Sequence, residues 1–441
     1  MMGPMSATRP APAAAPEPVP LLFLISDTGG GHRSAARAVG QALGQMYPGR
    51  FAPVLCDPLS GPGSARLLRW VTGLYGPAIR LAPWLWGAAY HVSNSRPAMT
   101  LLRRTLLALA DRPAADAVQV HRPAAIVSFH PLTGMAAVAA RDRSAPGTPV
   151  VTVVTDLART HAGWRHADVD LVIAPPAAAR GRGRPRRPAE NDWAAAGLAV
   201  TREFWGGPLR PGERAVLRRS LGLSENEFLV LLTGGGEGSG GIARRTAAIL
   251  RWFADVDVVA VCGRNTRLKR RLDRMAARSG GRLTVTGFAR NMADLLRCCD
   301  LIVTKAGPGT IAEATACGAP LLLTSHLPGQ EAGNTELVTS AAAGRRLPGV
   351  RQLVAEIGRL RDDPGAVDTM RAASARMGRP DAAADIAELI ASLVQTGAAA
   401  GGTGGAAILR PASEVVGTLL LLEQQRGPHH PARGRGNPSS G

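Results

Sequence analysis

Short apolar runs alternate with longer amphipathic stretches along most of the chain. VPLLFLIS (19–26), FAPVLCDPL (51–59), PAAIVSFHP (123–131), TPVVTVVTDL (148–157) and DLVIAPP (170–176) read as strands. FLVLLT (228–233), VDVVAV (256–261), LTVT (283–286), LIVT (301–304) and APLLLTS (319–325) repeat the pattern in the second half. Near-continuous apolar runs bounded by Gly, Pro and polar residues fit strands buried on both faces of a parallel sheet. Between them, helical periodicity runs through RSAARAVGQALGQMY (33–47), IARRTAAILRWF (242–253) and IAEATACG (311–318). Three more helices are expected near 350–361, 366–377 and 382–395. Strands alternating with helices predict an α/β chain with doubly wound parallel sheets, and the pattern restarts after a turn-rich link at 205–214.

Polar residues gather where these runs end, which is where ligands bind in a doubly wound sheet. Strand, glycine turn and helix recur three times: DTGGGH at 27–32, TGGGEGSGG at 233–241 and KAGPGT at 305–310. Glycine lets the chain turn tightly and brings backbone N–H groups to a helix start, a setting suited to an anionic diphosphate. The last unit leads through LLLTS into His326-Leu-Pro-Gly-Gln330-Glu331, whose amide and carboxylate suit sugar hydroxyls. His130 and Asp156 close two of the first-half runs.

One segment breaks the pattern. Residues 66–104 hold three of the seven tryptophans (Trp70, Trp84, Trp86) and two of the three tyrosines (Tyr75, Tyr90). Arg66, Arg69, Arg80, Arg96, Arg103 and Arg104 border them. Aromatic and aliphatic residues edged by arginine suit a membrane-surface contact or an apolar-substrate groove; two core helices broken at Pro83 are the competing reading.

Charge sharpens the choice of partner. The 441 residues carry 52 basic and 33 acidic side chains, a net charge of +19, which favours an anionic partner. The basic, Pro-rich loop at 179–192 fits anionic headgroups. Residues 1–19 and the tail from 398 look disordered, apart from a short helix in SEVVGTLLLLEQQ. No apolar run reads as a signal peptide or a membrane span. The five cysteines show no metal spacing and fit free thiols in a reducing compartment.

Several chemistries drop out. The triplets Asp168-Val-Asp170 and Asp255-Val-Asp257 stand at strand starts, away from where a diphosphate sits, so no metal is expected. Neither a nucleophile elbow nor a Walker lysine motif is present, and no Rossmann dinucleotide fingerprint has its acidic residue in place. A nucleic-acid-binding protein is the alternative of another class. The arginines are spread along the chain without an RNP-type or zinc module, so no nucleic-acid partner is expected.

Seven stretches together resemble a known family. SDTGGGH (26–32), SFHPLTG (128–134), VTDL with His161 and Trp164 (154–164), LTGGGEGSGG (232–241), GFARNMADLL (287–296), TKAGPGTIAEA (304–314) and PGQEAGN (328–334) look like the monogalactosyldiacylglycerol synthases. These are relatives of the bacterial lipid II N-acetylglucosaminyltransferase in the GT-B superfamily. The resemblance covers residues 20–395 in order. It implies two Rossmann-like domains facing a cleft: an acceptor domain at 20–205, a UDP-sugar donor domain at 206–378, and a helix at 379–397 packing back toward the first.

The implied reaction is inverting transfer of galactose from UDP-galactose to 1,2-diacylglycerol, with no cofactor or metal. His32 is then the base, with Asp156 orienting it or serving instead. Gly234, Gly235, Gly236, Glu237 and Gly238, with Gly307, Pro308, Gly309 and Thr310, hold the diphosphate, and Lys305 adds charge. Glu313 takes the ribose; Phe288 and Arg290 flank the uracil; Gln330, Glu331 and Asn334 take the sugar. Gly30, Gly31, Trp70, Tyr75, Trp84, Trp86, Tyr90 and His130 form the acceptor and membrane side. The expected partners are diacylglycerol and an anionic lipid such as phosphatidylglycerol, and the expected location is the inner face of the cell membrane. UDP-glucose with the same acceptor, or UDP-N-acetylglucosamine with a peptidoglycan precursor, are the alternatives. The 179–192 loop is more basic than the family pattern.

Overall fold

The computed structural model describes residues 17–400 apart from 28, 29, 77, 79–81, 166, 167 and 181–191. Most of the leader, most of the basic loop, the tail helix in SEVVGTLLLLEQQ, Arg80 and one glycine of the first glycine loop therefore lie outside the described residues.

The first half is a six-stranded parallel sheet in the order β2-β1-β3-β4-β5-β6. Its strands are β1 (Val19–Leu24), β2 (Phe51–Cys56), β3 (Ala125–Ser128), β4 (Val150–Val153), β5 (Leu171–Ala174) and β6 (Asp192–Ala195). Its helices are α1 (Gly31–Met46), α2 (Arg66–Gly73), α3 (Pro83–Ser93), α4 (Arg96–Arg104), α5 (Asp111–His121), α6 (Gly134–Ser144) and α7 (Pro176–Arg180). The run at 123–131 is a strand for only four residues, because Phe129 and His130 already belong to the turn beyond it. β6 follows the basic loop and shows little in the sequence: DWAA has one strand-favouring residue and is held as the edge by pairing with β5.

The second half is also a six-stranded parallel sheet, in the order β12-β11-β10-β7-β8-β9. It comprises β7 (Phe228–Thr233), β8 (Val256–Val261), β9 (Leu283–Thr286), β10 (Leu301–Lys305), β11 (Leu321–Ser325) and β12 (Gly344–Arg346). Its helices are α8 (Pro211–Ser220), α9 (Ile242–Trp252), α10 (Thr266–Ala276), α11 (Met292–Cys298), α12 (Pro308–Ala316), α13 (Ala332–Ser340), α14 (Val350–Arg361) and α15 (Pro364–Met377). α8 occupies much of the stretch that reads as a linker, started by Pro211 and by a Glu213 carboxylate accepting from the Arg210 N–H. α10 is hard to see in the sequence because TRLKRRLDRMA buries only Leu272.

The last helix, α16 (Ala382–Ala400), returns to the first half. Ala383, Ile386, Ala387, Ile390 and Leu393 recur every three or four residues and share a core with Ala35, Ala38, Val39 and Ala42 of α1. Alanine on both helices lets them approach closely. The segment around Gly197 carries the chain between the halves, and a Cβ on Gly197 would collide with Arg379 and Ala382, where the chain crosses back.

Each sheet reverses its winding once, at the step from β1 to β3 and at the step from β7 to β10. These are the topological switch points, where a doubly wound sheet opens a crevice at its carboxyl edge. The segments that follow β1, β3, β7 and β10, loop and first helical turn together, carry His32, His130, the Gly234–Gly238 turn and the Ala306–Thr310 turn.

Away from that edge, Asp300 ties the second half together. It accepts from Arg218 Nη2 at 2.7 Å and from the Leu229 backbone N–H at 2.8 Å, with Arg214 and Arg371 alongside. Arg218 is almost fully buried and also donates to the carbonyls of Cys298 and Glu227. Removing one partner of a buried pair costs about 3 kcal/mol or more, because the other charge is left uncompensated. Arg218→Met is therefore expected to lower the thermal midpoint by about 10 °C. A shift below about 2 °C in a calorimetric scan would show that Arg214 and Arg371 already neutralise Asp300.

Candidate active site

The crevice at the carboxyl edge of the first sheet is built around His32. The helix that carries it starts at Gly30, whose φ of 76° is the left-handed conformation glycine adopts without strain. His32 Nδ1 lies 2.8 Å from the Phe129 carbonyl and 2.8 Å from Thr155 Oγ1. A carbonyl only accepts, so Nδ1 carries the proton and Nε2 keeps its lone pair. Burial pushes the imidazole down to about 4, with the Phe129 hydrogen bond opposing, so His32 is neutral at ordinary pH. Phe129 and Thr155 orient it; among the described residues Asp156 makes no hydrogen bond to it, which corrects the expectation that Asp156 does the orienting.

Asp156 stands on the same edge, 6% exposed. Trp164 Nε1 donates to it at 2.7 Å and the His161 backbone N–H at 3.4 Å. Gln330, from the other half of the molecule, also hydrogen-bonds it. Burial outweighs these donors and raises the carboxyl to about 6.

His130 corrects another expectation. It is buried and packs edge-on against His32 at 4.4 Å, accepting at Nδ1 from the Leu132 N–H. Burial holds it well below the usual histidine range. It closes β3 at the carboxyl edge and backs His32, so its burial speaks against the membrane half of that expectation only.

Across the cleft, two turns converge on Lys305. The Gly234–Gly238 turn is folded back on itself by Gly238 N–H to Gly235 O and Arg264 N–H to Gly236 O. Gly238, at φ 57°, runs against the Cys262 carbonyl, leaving no room for a Cβ. Gly307 caps α12, and Pro308 takes its first turn, leaving the Gly309 and Thr310 N–H groups at the helix start. A Cβ on Gly307 would lie 3.2 Å from Lys305 Nζ, and one on Gly235 would lie 3.9 Å from Lys305 Cε. The lysine thus sits between both turns, its Nζ 2.6 Å from Glu331 Oε1.

The remaining donor-side residues divide by burial. Glu331 is nearly enclosed and accepts the Leu327 N–H at its other oxygen. Asn334 donates to the Ala306 carbonyl, bracing the second turn. Glu313 is half-buried on α12, and burial with the Glu203 charge pushes it up to about 8. Phe288 is 62% exposed with the Arg264 guanidinium 5.8 Å over its ring, while Arg290 and Glu237 are solvent-facing. Arg264 also lies 3.4 Å from Glu237. Sequence reasoning missed it, though it follows the strand end of β8 as the other site residues follow theirs.

The aromatic segment also divides. Trp70 and Trp84 are 65% and 70% exposed, with Leu67, Leu74, Leu85 and Val92 open beside them. Among the described residues of the segment only Leu68, Gly87 and Met99 are fully buried, so the core-helix reading fails for most of it. Tyr75, Trp86 and Tyr90 are not on that open surface; each is partly covered, and Tyr90 reaches the other half. The Tyr75 and Trp86 rings meet edge-on at 4.8 Å, and Tyr90 packs on His161 at 4.8 Å and on Gly329. Among the described residues there is no group of acidic, His or Cys side chains able to hold a metal, and no helix long and apolar enough to cross a membrane.

Comparison with known proteins decides the family. The probable monogalactosyldiacylglycerol synthase 2 of Oryza sativa subsp. indica is 32% identical over 333 residues, 74% of this chain and 70% of its own, and monogalactosyldiacylglycerol synthase 1 of Arabidopsis thaliana is 32% identical over 356 residues, 75% of this chain. The chain belongs to the monogalactosyldiacylglycerol synthase family. The family profile described as monogalactosyldiacylglycerol (MGDG) synthase matches residues 32–181, and the glycosyltransferase family 28 C-terminal domain matches residues 229–386. The chloroplastic synthase of Spinacia oleracea is 31% identical over 78% of this chain. The chain spans about 62% of the length of the Arabidopsis relative and 66% of the spinach one. Among solved structures, MurG of Acinetobacter baumannii superposes with a TM-score of 0.55 at 17% identity, over 85% of this chain and 100% of that one. HepE of Anabaena, in complex with UDP and glucose, gives 0.52 at 18% identity, over 85% and 100%. These neighbours establish the GT-B fold for this member of the synthase family.

Asp156 yields a pH test. Its folded-state pKa of about 6 stands above the ordinary 3.8, so the folded chain holds the proton more tightly than the unfolded one. The strain of ionising it is absent below pH 4 and complete above pH 6. Asp156→Asn removes that strain. The variant is expected to gain on the order of 2 kcal/mol over the parent at pH 8 and nothing at pH 4. A pH-independent difference in unfolding free energy would show that the carboxylate is not strained.

Proposed function

We propose that this chain transfers a hexose from a UDP-sugar to the free hydroxyl of 1,2-diacylglycerol with inversion, and that the hexose is galactose. The observation that carries the reading is the Gln330 contact with Asp156, which sets the sugar-recognition loop of one half on the buried acid–base groups of the other. Family membership supports both substrates.

His32 takes the proton of the diacylglycerol hydroxyl at Nε2 as that oxygen attacks the anomeric carbon. The bond to the diphosphate breaks on the opposite face and UDP leaves with the electron pair. The Gly234–Gly238 and Gly307–Thr310 turns and Lys305 stabilise the departing charge. Glu313, protonated or shared at neutral pH, suits the ribose hydroxyls, and Gln330 and Glu331 suit the hexose. Phe288 and Arg290, joined by Arg264, suit the uracil.

The test is glycolipid formation from UDP-galactose and UDP-glucose in parallel, on diacylglycerol vesicles with EDTA present. Product from UDP-galactose alone is expected. Product from UDP-glucose alone would change the donor, and product from neither would point to a peptidoglycan precursor with UDP-N-acetylglucosamine. His32→Ala is expected to lose at least about a hundredfold in turnover while still binding UDP. In the parent, kcat/KM should fall on the acid side only as pH approaches about 4, the His32 value; a limb near 6 would move the base role to Asp156.

The open Trp70–Trp84 surface and the net charge of +19 support docking on an anionic leaflet, phosphatidylglycerol included, at the inner face of the cell membrane. Flotation with phosphatidylglycerol vesicles should be tighter than with neutral ones and weaken with salt. Trp70→Ser with Trp84→Ser should cost at least about tenfold in vesicle affinity. Equal flotation on neutral vesicles would remove the anionic-lipid partner.

A further inference from the structure

The inference rests on the reading of the cleft as a UDP-hexose site. Helix α3 has two faces. Trp84, Leu85 and Val92 are open, while Trp86, Gly87, Tyr90 and Ser93 are covered to different degrees and recur at helical spacing on the other side. That covered side meets the loop bearing Gln330 and Glu331. A Cβ on Gly87 would lie 2.7 Å from the Pro328 ring, and Tyr90 rests on Gly329, at φ 80°. Ser93 Oγ lies 3.2 Å from His161 Nε2, and Asn94 accepts from the Ala162 N–H at 2.7 Å, so the helix is fixed against the segment that carries Asp156.

On these two packed elements, one polar atom each is buried without a partner among the described residues: Trp86 Nε1 on the helix and Gln330 Oε1 on the loop. One is only a donor and the other is an acceptor. An unsatisfied buried polar atom costs about 1–3 kcal/mol, so one on each of two elements packed across the halves calls for an explanation by a ligand. Tyr75 fixes the indole from one side, and its phenol is pushed up to about 12 by burial together with Glu331, Asp156 and Glu237, placing it in the same gap.

We propose that Trp86, in the acceptor half, is a specificity-determining residue of the donor site: its Nε1–H donates to a hydroxyl of the hexose while Gln330 Oε1 accepts from a hydroxyl of the same ring. A neutral ring bearing several hydroxyls is the ligand class that supplies an acceptor and a donor together. A diphosphate offers acceptors only, and an acyl chain offers neither. The UDP portion stays on the glycine turns and Lys305, so Trp86 is felt only when the hexose is attached. Because α3 also carries the open Trp84 surface, the sugar site is complete only with the acceptor helix seated on the donor loop.

The test is calorimetric titration of the full chain with UDP, UDP-galactose and UDP-glucose, for the parent and Trp86→Phe. Phenylalanine keeps a ring against Tyr75 and removes the N–H. The expected result is about a tenfold weakening for the preferred UDP-hexose, with UDP unchanged within about twofold and the thermal midpoint retained. Equal weakening of UDP and UDP-hexose, or of neither, overturns the assignment. Single-deoxy UDP-hexoses on the parent give a reading independent of the variant's folding. One position must lose about tenfold, and no loss at any position overturns the assignment as well. If the parent forms glycolipid while Trp86→Phe binds UDP-hexose normally, this inference alone falls. If the parent binds no UDP-hexose, the functional reading falls with it.

Discussion

A parallel sheet covered on both faces by helices leaves one place for polar chemistry, the carboxyl edge of its strands. The central strands are otherwise apolar and buried, as in Leu21–Leu24 and Val230–Leu232. This constraint explains why the polar residues that matter, His32, His130, Asp156, Lys305 and Gln330, stand just beyond strands or in the loops that follow them. It also explains why two such sheets set edge to edge make a cleft whose two walls differ in character. One wall holds a neutral imidazole and a strained carboxyl; the other holds backbone N–H turns around one lysine.

Burial at that edge works against charge, and the structure resolves the conflict differently on each wall. On the first wall desolvation wins: His32 is neutral, His130 is neutral, and Asp156 ionises only near pH 6. On the second wall a pair forms instead, with Lys305 held 2.6 Å from Glu331. The attraction between the two groups of such a pair offsets part of the hydration that each loses on burial. The same glutamate takes the Leu327 N–H and so shapes the loop that presents Gln330. One ion pair therefore sets both the charge between the glycine turns and the direction of the loop that carries Gln330.

Most of the fold was legible because apolar runs and glycine turns are local signals. The doubly wound sheets and the strands bearing the site follow from them directly. What escaped was set by tertiary context. β6 is a strand because β5 has a free edge beside it, and DWAA has little propensity of its own. α10 buries a single leucine and so lacks an apolar stripe to read. At the site, residue types near strand ends were readable, but their partners were not. Nothing in the spacing says that Phe129 and Thr155, 97 and 123 residues from His32, hold its ring. Nor does it say that His130 turns inward behind His32.

The aromatic segment shows why composition alone divides poorly between membrane and site. Tryptophan and tyrosine carry a large apolar body with one polar handle, which suits a lipid interface and a sugar pocket equally. Helical periodicity separates the two uses only once the helix has a neighbour. On α3, a rotation of about 160° carries Trp84 to the open side and Trp86 to the covered side, where its ring meets Tyr75. Gly87 makes the division possible, since a side chain there would hold Pro328 away and open the gap. A helix of eleven residues thus presents an apolar surface outward while lending an indole N–H inward. Whatever seats its outer face also fixes the position of its inner one.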